Sequence, residues 1–293
     1  MLHPKIYIFT LLAALFFNPF CTATGPIIKN NSSNTVNTVI SEKDIVIISV
    51  SRNDKAYYEG NLYSTINQQY TNYRIIWVDD ASTDGTPDLV EAYLKKNDPT
   101  GKVTLVKNTT RCGSMENIYN AVHSCKDHEI MVMVEGDDQL AHSKVLQIVN
   151  KTYQDPNVWM SYGNYQSLYP CSAHFSRQVP ADVIAKNAFR ETEWTTSHTR
   201  IYYAWLFKKI KREDFMYKGN FYPFVSDLVA MFPMLEMAGT HSKFIPDVLY
   251  IYNNNSPFNE FRVAPEGTLV CDAAIRSAQK YTPLDAAPIF ITA

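Results

Sequence analysis

The chain of 293 residues carries 27 Lys and Arg against 29 Asp and Glu, a formal charge of -2, and 46% of its residues are hydrophobic. That is enough apolar material for one large domain or two ordinary ones, and it excludes disordered and fibrous classes. No basic run stands out and no repeat recurs at a fixed period, so nucleic acid as a partner and solenoid or propeller arrays find no support.

Residues 6–17 form an almost unbroken apolar run behind Lys5, followed by Asn18-Pro19 and the small-residue stretch Cys21-Thr22-Ala23. This pattern predicts a signal peptide over residues 1–23. The run falls short of the roughly 20 residues that span a bilayer, which makes a short membrane anchor the alternative. An exported or lumenal setting is expected, with any membrane contact confined to this segment. Residues 24–43 are polar and predict a linker. Without Cys21, four cysteines remain (Cys112, Cys125, Cys171 and Cys271), which permits two bridges in three connectivities. Pairing of Cys112 with Cys125 is disfavoured because a helix of about 20 Å separates them. Four reduced thiols are an equal expectation.

From Asp44 onward, short β-branched runs alternate with longer amphipathic ones. Strands are predicted at 45–50 (IVIISV), 74–78 (RIIWV), 103–106 (VTLV) and 130–134 (IMVMV), all without polar alternation and so buried on both faces. Helices are predicted at 57–69, 87–96, 115–124 and 143–154, the second with Thr86 as N-cap and Pro87 at its first position. The alternation predicts an α/β fold with a mostly parallel, Rossmann-like sheet flanked by helices. Residues 44–165 carry this alternation. Residues 166–293 are rich in Tyr, Trp and Phe, a region suited to covering one side of the sheet, with helices predicted at 201–211 and 226–238 and an apolar stretch at 248–252.

Two acidic groups follow strands directly, where ligands of open parallel sheets collect. The first is VDDASTDGT at 78–86, in which Asp84 and Thr86 suit a turn and cap better than a ligand. The second is Glu135-Gly136-Asp137-Asp138, whose carboxylates repel one another unless a divalent cation and a diphosphate neutralise them. Arg200, Lys208, Lys209 and Lys211 suit a solvated helix face, and His198 and His241 suit structural roles.

In their order and spacing, over roughly residues 44–255, these segments resemble the inverting GT-A glycosyltransferases of family 2. The matching pieces are Ser49-Val50-Ser51-Arg52-Asn53, the 78–86 segment, Asn108 with Gly113 and Glu116-Asn117, the acidic tetrad, and Ser226-Asp227. The resemblance implies a GT-A fold, with residues 44–165 as its nucleotide-sugar-binding half and 166–293 as its acceptor-side half, and transfer of a sugar from a nucleotide-diphosphate donor, a UDP-sugar foremost, to a hydroxyl of a glycan, lipid or protein. It also implies that Asp80 reads the donor base with Asp79 assisting, and that Ser49 and Ser51 touch the nucleoside. Asp137 would address the ribose and diphosphate, Asp138 with Glu135 would hold Mn2+ or Mg2+, and Asp227 would act as general base. Glu135 stands for the usual Asp, Glu116 for an Arg that Arg111 replaces, and Ser226 for a Glu. These substitutions keep open a second reading, a glycan- or nucleotide-binding module that has lost turnover.

Overall fold

The computed structural model describes residues 41–169 and 176–290. The predicted signal, most of the predicted linker and Cys171 lie outside the described residues. In β1 (Ile45–Ser51), Ile45 and Ile47 enter one apolar layer while Val46 and Ile48 enter the other. Burial on both sides of the sheet is why this strand shows no polar alternation. The chain then runs through α1 (Tyr58–Ile66), β2 (Tyr73–Asp79), α2 (Thr86–Asn97), β3 (Val103–Lys107), α3 (Ser114–His123) and β4 (Ile130–Met133). β5 (Gln139–Leu140), α4 (Val145–Thr152), β6 (Met160–Ser167), α5 (Ala181–Ala185), β7 (Arg200–Tyr203) and α6 (Ala204–Lys208) follow. The remaining elements are a small β8 (Met216–Tyr217) and β9 (Asn220–Phe221) hairpin, α7 (Ser226–Ala238), β10 (Ser242–Tyr252), α8 (Glu260–Val263) and α9 (Pro265–Ser277).

Eight strands form one sheet in the order β3-β2-β1-β4-β7-β6-β10-β5. The pairs among β3, β2, β1 and β4 are parallel, as is β6 with β10, whereas β7 and β5 run antiparallel to their neighbours. The sheet therefore continues from the predicted nucleotide half into the acceptor half. Leu62, Val90, Val145 and Val149 from α1, α2 and α4 pack one face, and Met115, Ile118, Trp205 and α7 pack the other. Helix α7 is buried from Leu228 to Ala238. Within it, Glu236 pairs with Arg190 at 2.5 and 2.9 Å, with both side chains at most 1% exposed. Arg190 also donates to the Ile275 carbonyl at 2.6 Å, and Glu236 accepts the Tyr281 N–H at 2.9 Å, so one buried ion pair ties α7 to α9 and to the chain beyond it.

Several expectations are corrected. β3 is an edge strand with mostly partly or fully exposed residues, not a doubly buried one. The helix expected over 201–211 is strand β7 followed by the single-turn α6, because Ile201 and Tyr202 pair with both β4 and β6. Thr86 is not the cap of α2: Gly85 holds the cap position at φ +89, and the Asp84 carboxylate accepts the Thr86 N–H and hydroxyl at 3.0 and 2.6 Å. Among the described residues, Cys112, Cys125 and Cys271 are free thiols. No described helix is long and apolar enough to cross a membrane.

Candidate functional site

The loop between β4 and β5 is Val134-Glu135-Gly136-Asp137-Asp138, and its position is set by side chains distant in sequence. Asn61 of α1, fully buried, donates its amide to the carbonyls of Glu135 and Asp138 at 2.8 and 3.0 Å and accepts from the Trp77 indole at 3.0 Å. The Tyr250 hydroxyl of β10 accepts the Glu135 N–H at 3.0 Å and donates to Asp138 at 2.7 Å. The other Asp138 oxygen accepts the Asn253 N–H at 2.6 Å. Gly136 passes so close to β1 that a Cβ there would lie 2.5 Å from the Ser51 Cβ and 2.6 Å from the Asp54 carboxylate.

One ligand atom each from Glu135, Asp137 and Asp138 lies within 4.8 Å of the others, a hard oxygen set suited to Mg2+ or Mn2+. Asp138 is 1% exposed with both oxygens engaged, whereas Glu135 is exposed and Asp137 half-buried. The outward carboxylates are thus Glu135 and Asp137. Burial, then the charge of Glu135, pushes Asp137 up to about 6, and burial with its two acidic neighbours pushes Asp138 well above the carboxylate range. Burial works against ionisation of Glu135 too, but the Arg200 guanidinium bonded to it brings the carboxyl below its ordinary value. A fourth carboxylate, Asp54, bonds the Ser51 hydroxyl at 2.7 Å, and burial, then Asp137, pushes it up to about 7.

At the end of β2, the neighbouring aspartates point to different tasks. Asp80 accepts from the Cys112 and Gly113 N–H groups at 2.8 and 2.9 Å and from the Asn108 amide at 3.0 Å. Burial opposes its charge, yet these donors bring its carboxyl below the ordinary value, and it staples the 108–113 loop. Asp79 accepts only the Ser82 N–H, at 3.0 Å, and its other oxygen is buried without a partner. Ser49 and Ser51 are buried at the end of β1, with the Ser49 hydroxyl unpaired, and Arg111 is exposed on the stapled loop.

Asp227 lies in the first turn of α7, which follows Val225 at φ +53. Burial raises its carboxyl, with Arg200 opposing and Glu135 adding to the rise. The Ser226 hydroxyl meets that of Ser114, the first residue of α3, at 3.2 Å. Bonds thus join Asp80, through Gly113 and Ser114, to Ser226 beside Asp227, and Ser114, Ser226, Arg200 and Glu135 line one cavity. Asp80, Asp227 and the acidic loop lie along one rim.

Four participants carried no usable sequence signal. Asn61, Tyr250 and Asn253 are ordinary residues whose partners lie 74 to 115 positions away. Arg200 is not part of a solvated face: its side chain is 7% exposed and paired with Glu135. A fifth, Glu260 of α8, bonds the Val225 N–H at 2.9 Å, and burial, with Asp227 adding, pushes it up to about 7. It brings to Asp227 the acidic neighbour that Ser226 does not provide. His198 stacks on Tyr250 and Tyr252, and burial holds it neutral, down to about 4; His241 stacks on Trp159.

A family model described as glycosyl transferase family 2 matches residues 45–220. A putative teichuronic acid biosynthesis glycosyltransferase, TuaG of Bacillus subtilis (strain 168), is 34% identical over 65 residues, 22% of this chain and 26% of that protein. The match thus spans about a quarter of that relative. Among solved structures, S. aureus TarS superposes with a TM-score of 0.56 at 18% identity, over 79% of this chain and 39% of that one. TarS 1-349 in complex with UDP-GlcNAc gives 0.54 at 16% identity, over 73% of this chain and 59% of that one. The mannosyltransferase PcManGT of Pyrobaculum calidifontis, in complex with GDP-Man and Mn2+, gives 0.56 at 20% identity, over 82% and 66%. At these identities the likeness is one of fold, the GT-A arrangement that the motif order led us to expect.

Proposed function

Because the chain belongs to glycosyl transferase family 2, we propose that it transfers a sugar from a nucleoside diphosphate, a uridine nucleotide foremost, to an acceptor hydroxyl with inversion. The observation that carries this reading is the meeting of Glu135, Asp137 and Asp138 within 4.8 Å on the rim that also holds Asp227. Asp79, with its unpartnered oxygen, reads the donor base, while Asp80 keeps the 108–113 loop in place. This exchanges the two roles expected from the motif. Ser49, Ser51 and Arg111 line the nucleotide end.

Asp137 and Glu135 would hold the divalent ion, and the buried Asp138 anchors their loop to Tyr250 and Asn253. Bound there, Mn2+ or Mg2+ supplies positive charge to the leaving diphosphate. Asp227 takes the proton of the acceptor hydroxyl as that oxygen bonds to the anomeric carbon. The carbon–oxygen bond to the diphosphate breaks on the opposite face, and its electron pair leaves with the phosphate. Burial makes Asp227 a stronger base than a solvated carboxylate, and Arg200 keeps it ionised. The apolar run at 6–17 supports an exported, lumenal or membrane-anchored setting, which N-terminal sequencing of the mature protein tests.

The deciding assay is donor hydrolysis and transfer with and without Mn2+. Asp137→Asn, at a half-buried position, is expected to lower Mn2+-dependent turnover by about 100-fold or more while the protein stays folded. Nucleotide binding without turnover in the wild type would favour the binding module instead.

A further inference from the structure

A small cavity of about 30 Å³ lies between Glu135 and Ser226. Its sides are Ile48 and Val50 of β1, Ile118 of α3 and Met133 of β4; its polar residues are Ser114, Ser226, Arg200 and Glu135. On the reading above, on which this inference rests, the ion stands on its Glu135 side and the base Asp227 next to Ser226 on the other. The donor's sugar ring belongs between the two. A pocket at that point receives a substituent of the sugar, not the nucleotide and not the acceptor.

The lining states what kind of substituent. Together with Val134 these apolar residues favour a methyl group over a lone hydroxyl, which would leave them uncovered. The Arg200 side chain is 7% exposed and its terminal nitrogen is paired with Glu135, but its Nε–H is buried without an acceptor. That Nε–H is closed to a water-sized group, so the hydrogen bonding that the pocket itself offers comes from its serine hydroxyls. The two serine hydroxyls bond each other at 3.2 Å, and either is able to donate or accept at the pocket's edge. A carboxylate fits poorly: Glu135 and Asp227 together already outnumber the one guanidinium. The volume admits about two water-sized groups, the space of a small acyl unit and not of a second ring.

We propose that this cavity takes an N-acyl substituent of the donor sugar, its methyl among Ile48, Val50, Ile118 and Met133 and its carbonyl oxygen on the hydroxyl of Ser114 or Ser226. The donor class is then a nucleoside diphosphate N-acetylhexosamine, in preference to a plain hexose or a uronic acid.

The test is equilibrium titration of the full chain in Mn2+ with UDP, UDP-glucose, UDP-N-acetylglucosamine and UDP-glucuronic acid, with the GDP and GDP-mannose pair run in parallel. The N-acetyl donor is expected to bind roughly 10-fold or more tighter than the glucose donor, with the uronic acid weakest. Ile118→Phe, which fills the cavity, should bring the N-acetyl donor down to the level of UDP-glucose. Val50→Leu is the milder form if the larger side chain disturbs folding, and UDP binding in the same titration reports an intact nucleotide site. Binding of UDP with equal affinity for the glucose and N-acetylglucosamine donors would overturn the inference and leave the glycosyltransferase reading standing. Absence of binding by every nucleotide, with or without Mn2+, would overturn both.

Discussion

Tyr250→Phe isolates the support beneath the acidic loop. The substitution keeps the ring, which is fully buried and stacked on His198 at 4.5 Å between centroids, and removes only the hydroxyl. That hydroxyl donates to Asp138 at 2.7 Å and accepts the Glu135 N–H at 3.0 Å. Losing a hydrogen bond to a carboxylate costs about 1.5–3 kcal/mol, and leaving the part-buried Glu135 N–H without an acceptor adds about 1 kcal/mol, the low end for such a group. Partial relaxation of the loop brings the expected loss of stability to about 3 kcal/mol, or roughly 6–12 °C in Tm at 2–4 °C per kcal/mol for a chain of this size. Urea denaturation followed by tryptophan fluorescence gives the free energy directly. The apparent Mn2+ affinity is expected to fall in parallel, since Asp137 adjoins the freed Asp138. Tyr252→Phe is the control: its hydroxyl accepts only from the Asn259 amide, at 2.8 Å on a partly buried side chain, so its loss should stay below about 1 kcal/mol. A Tyr250→Phe loss as small as the control's would refute the idea that β10 holds the loop.

Gly136→Ala is expected to destabilise by about 3 kcal/mol or more and to abolish Mn2+-dependent activity, because the new Cβ would sit 2.7 Å from the Ser51 Cα, where backbone must move; chemical denaturation and turnover together check this. Arg190→Met should cost about 3–5 kcal/mol by stranding the buried Glu236 charge, and the double variant with Glu236→Leu should recover part of it, which a double-mutant cycle measures. Glu260 has a folded pKa of about 7 against an ordinary 4.5, so the folded state binds the extra proton between those values and its stability falls as pH rises through that window. Glu260→Gln should flatten that slope in urea melts at pH 5 and pH 8; an unchanged slope would remove Glu260 from the account.

The doubly buried strands β1, β2 and β4 were legible because both faces are apolar, and the acidic tetrad was legible because three carboxylates in four residues are hard to explain without a counter-charge. Other features depend on partners that no local window contains. The run over 201–211 reads as one helix, but long-range pairing of Ile201 and Tyr202 outweighs local propensity and splits it. Asp79 and Asp80 are chemically identical neighbours. Only the return of the 108–113 loop over Asp80 separates the stapling carboxylate from the one left with a spare oxygen. Arg200 looked like one cation of a surface run until the sheet placed it beneath Glu135.

Strand order imposes one last condition. β4 is fourth across the sheet and β5 is eighth, yet only residues 134–138 join them. Four strand spacings on a flat sheet amount to roughly 19 Å, and six residue steps reach at most about 22 Å when fully stretched. This segment instead doubles back, with the Asp138 N–H bonded to the Glu135 carbonyl at 3.0 Å. It acts as a drawstring: its shortness rolls the far half of the sheet inward and carries Tyr250 beneath the carboxylates. A single inserted residue there would slacken the whole edge.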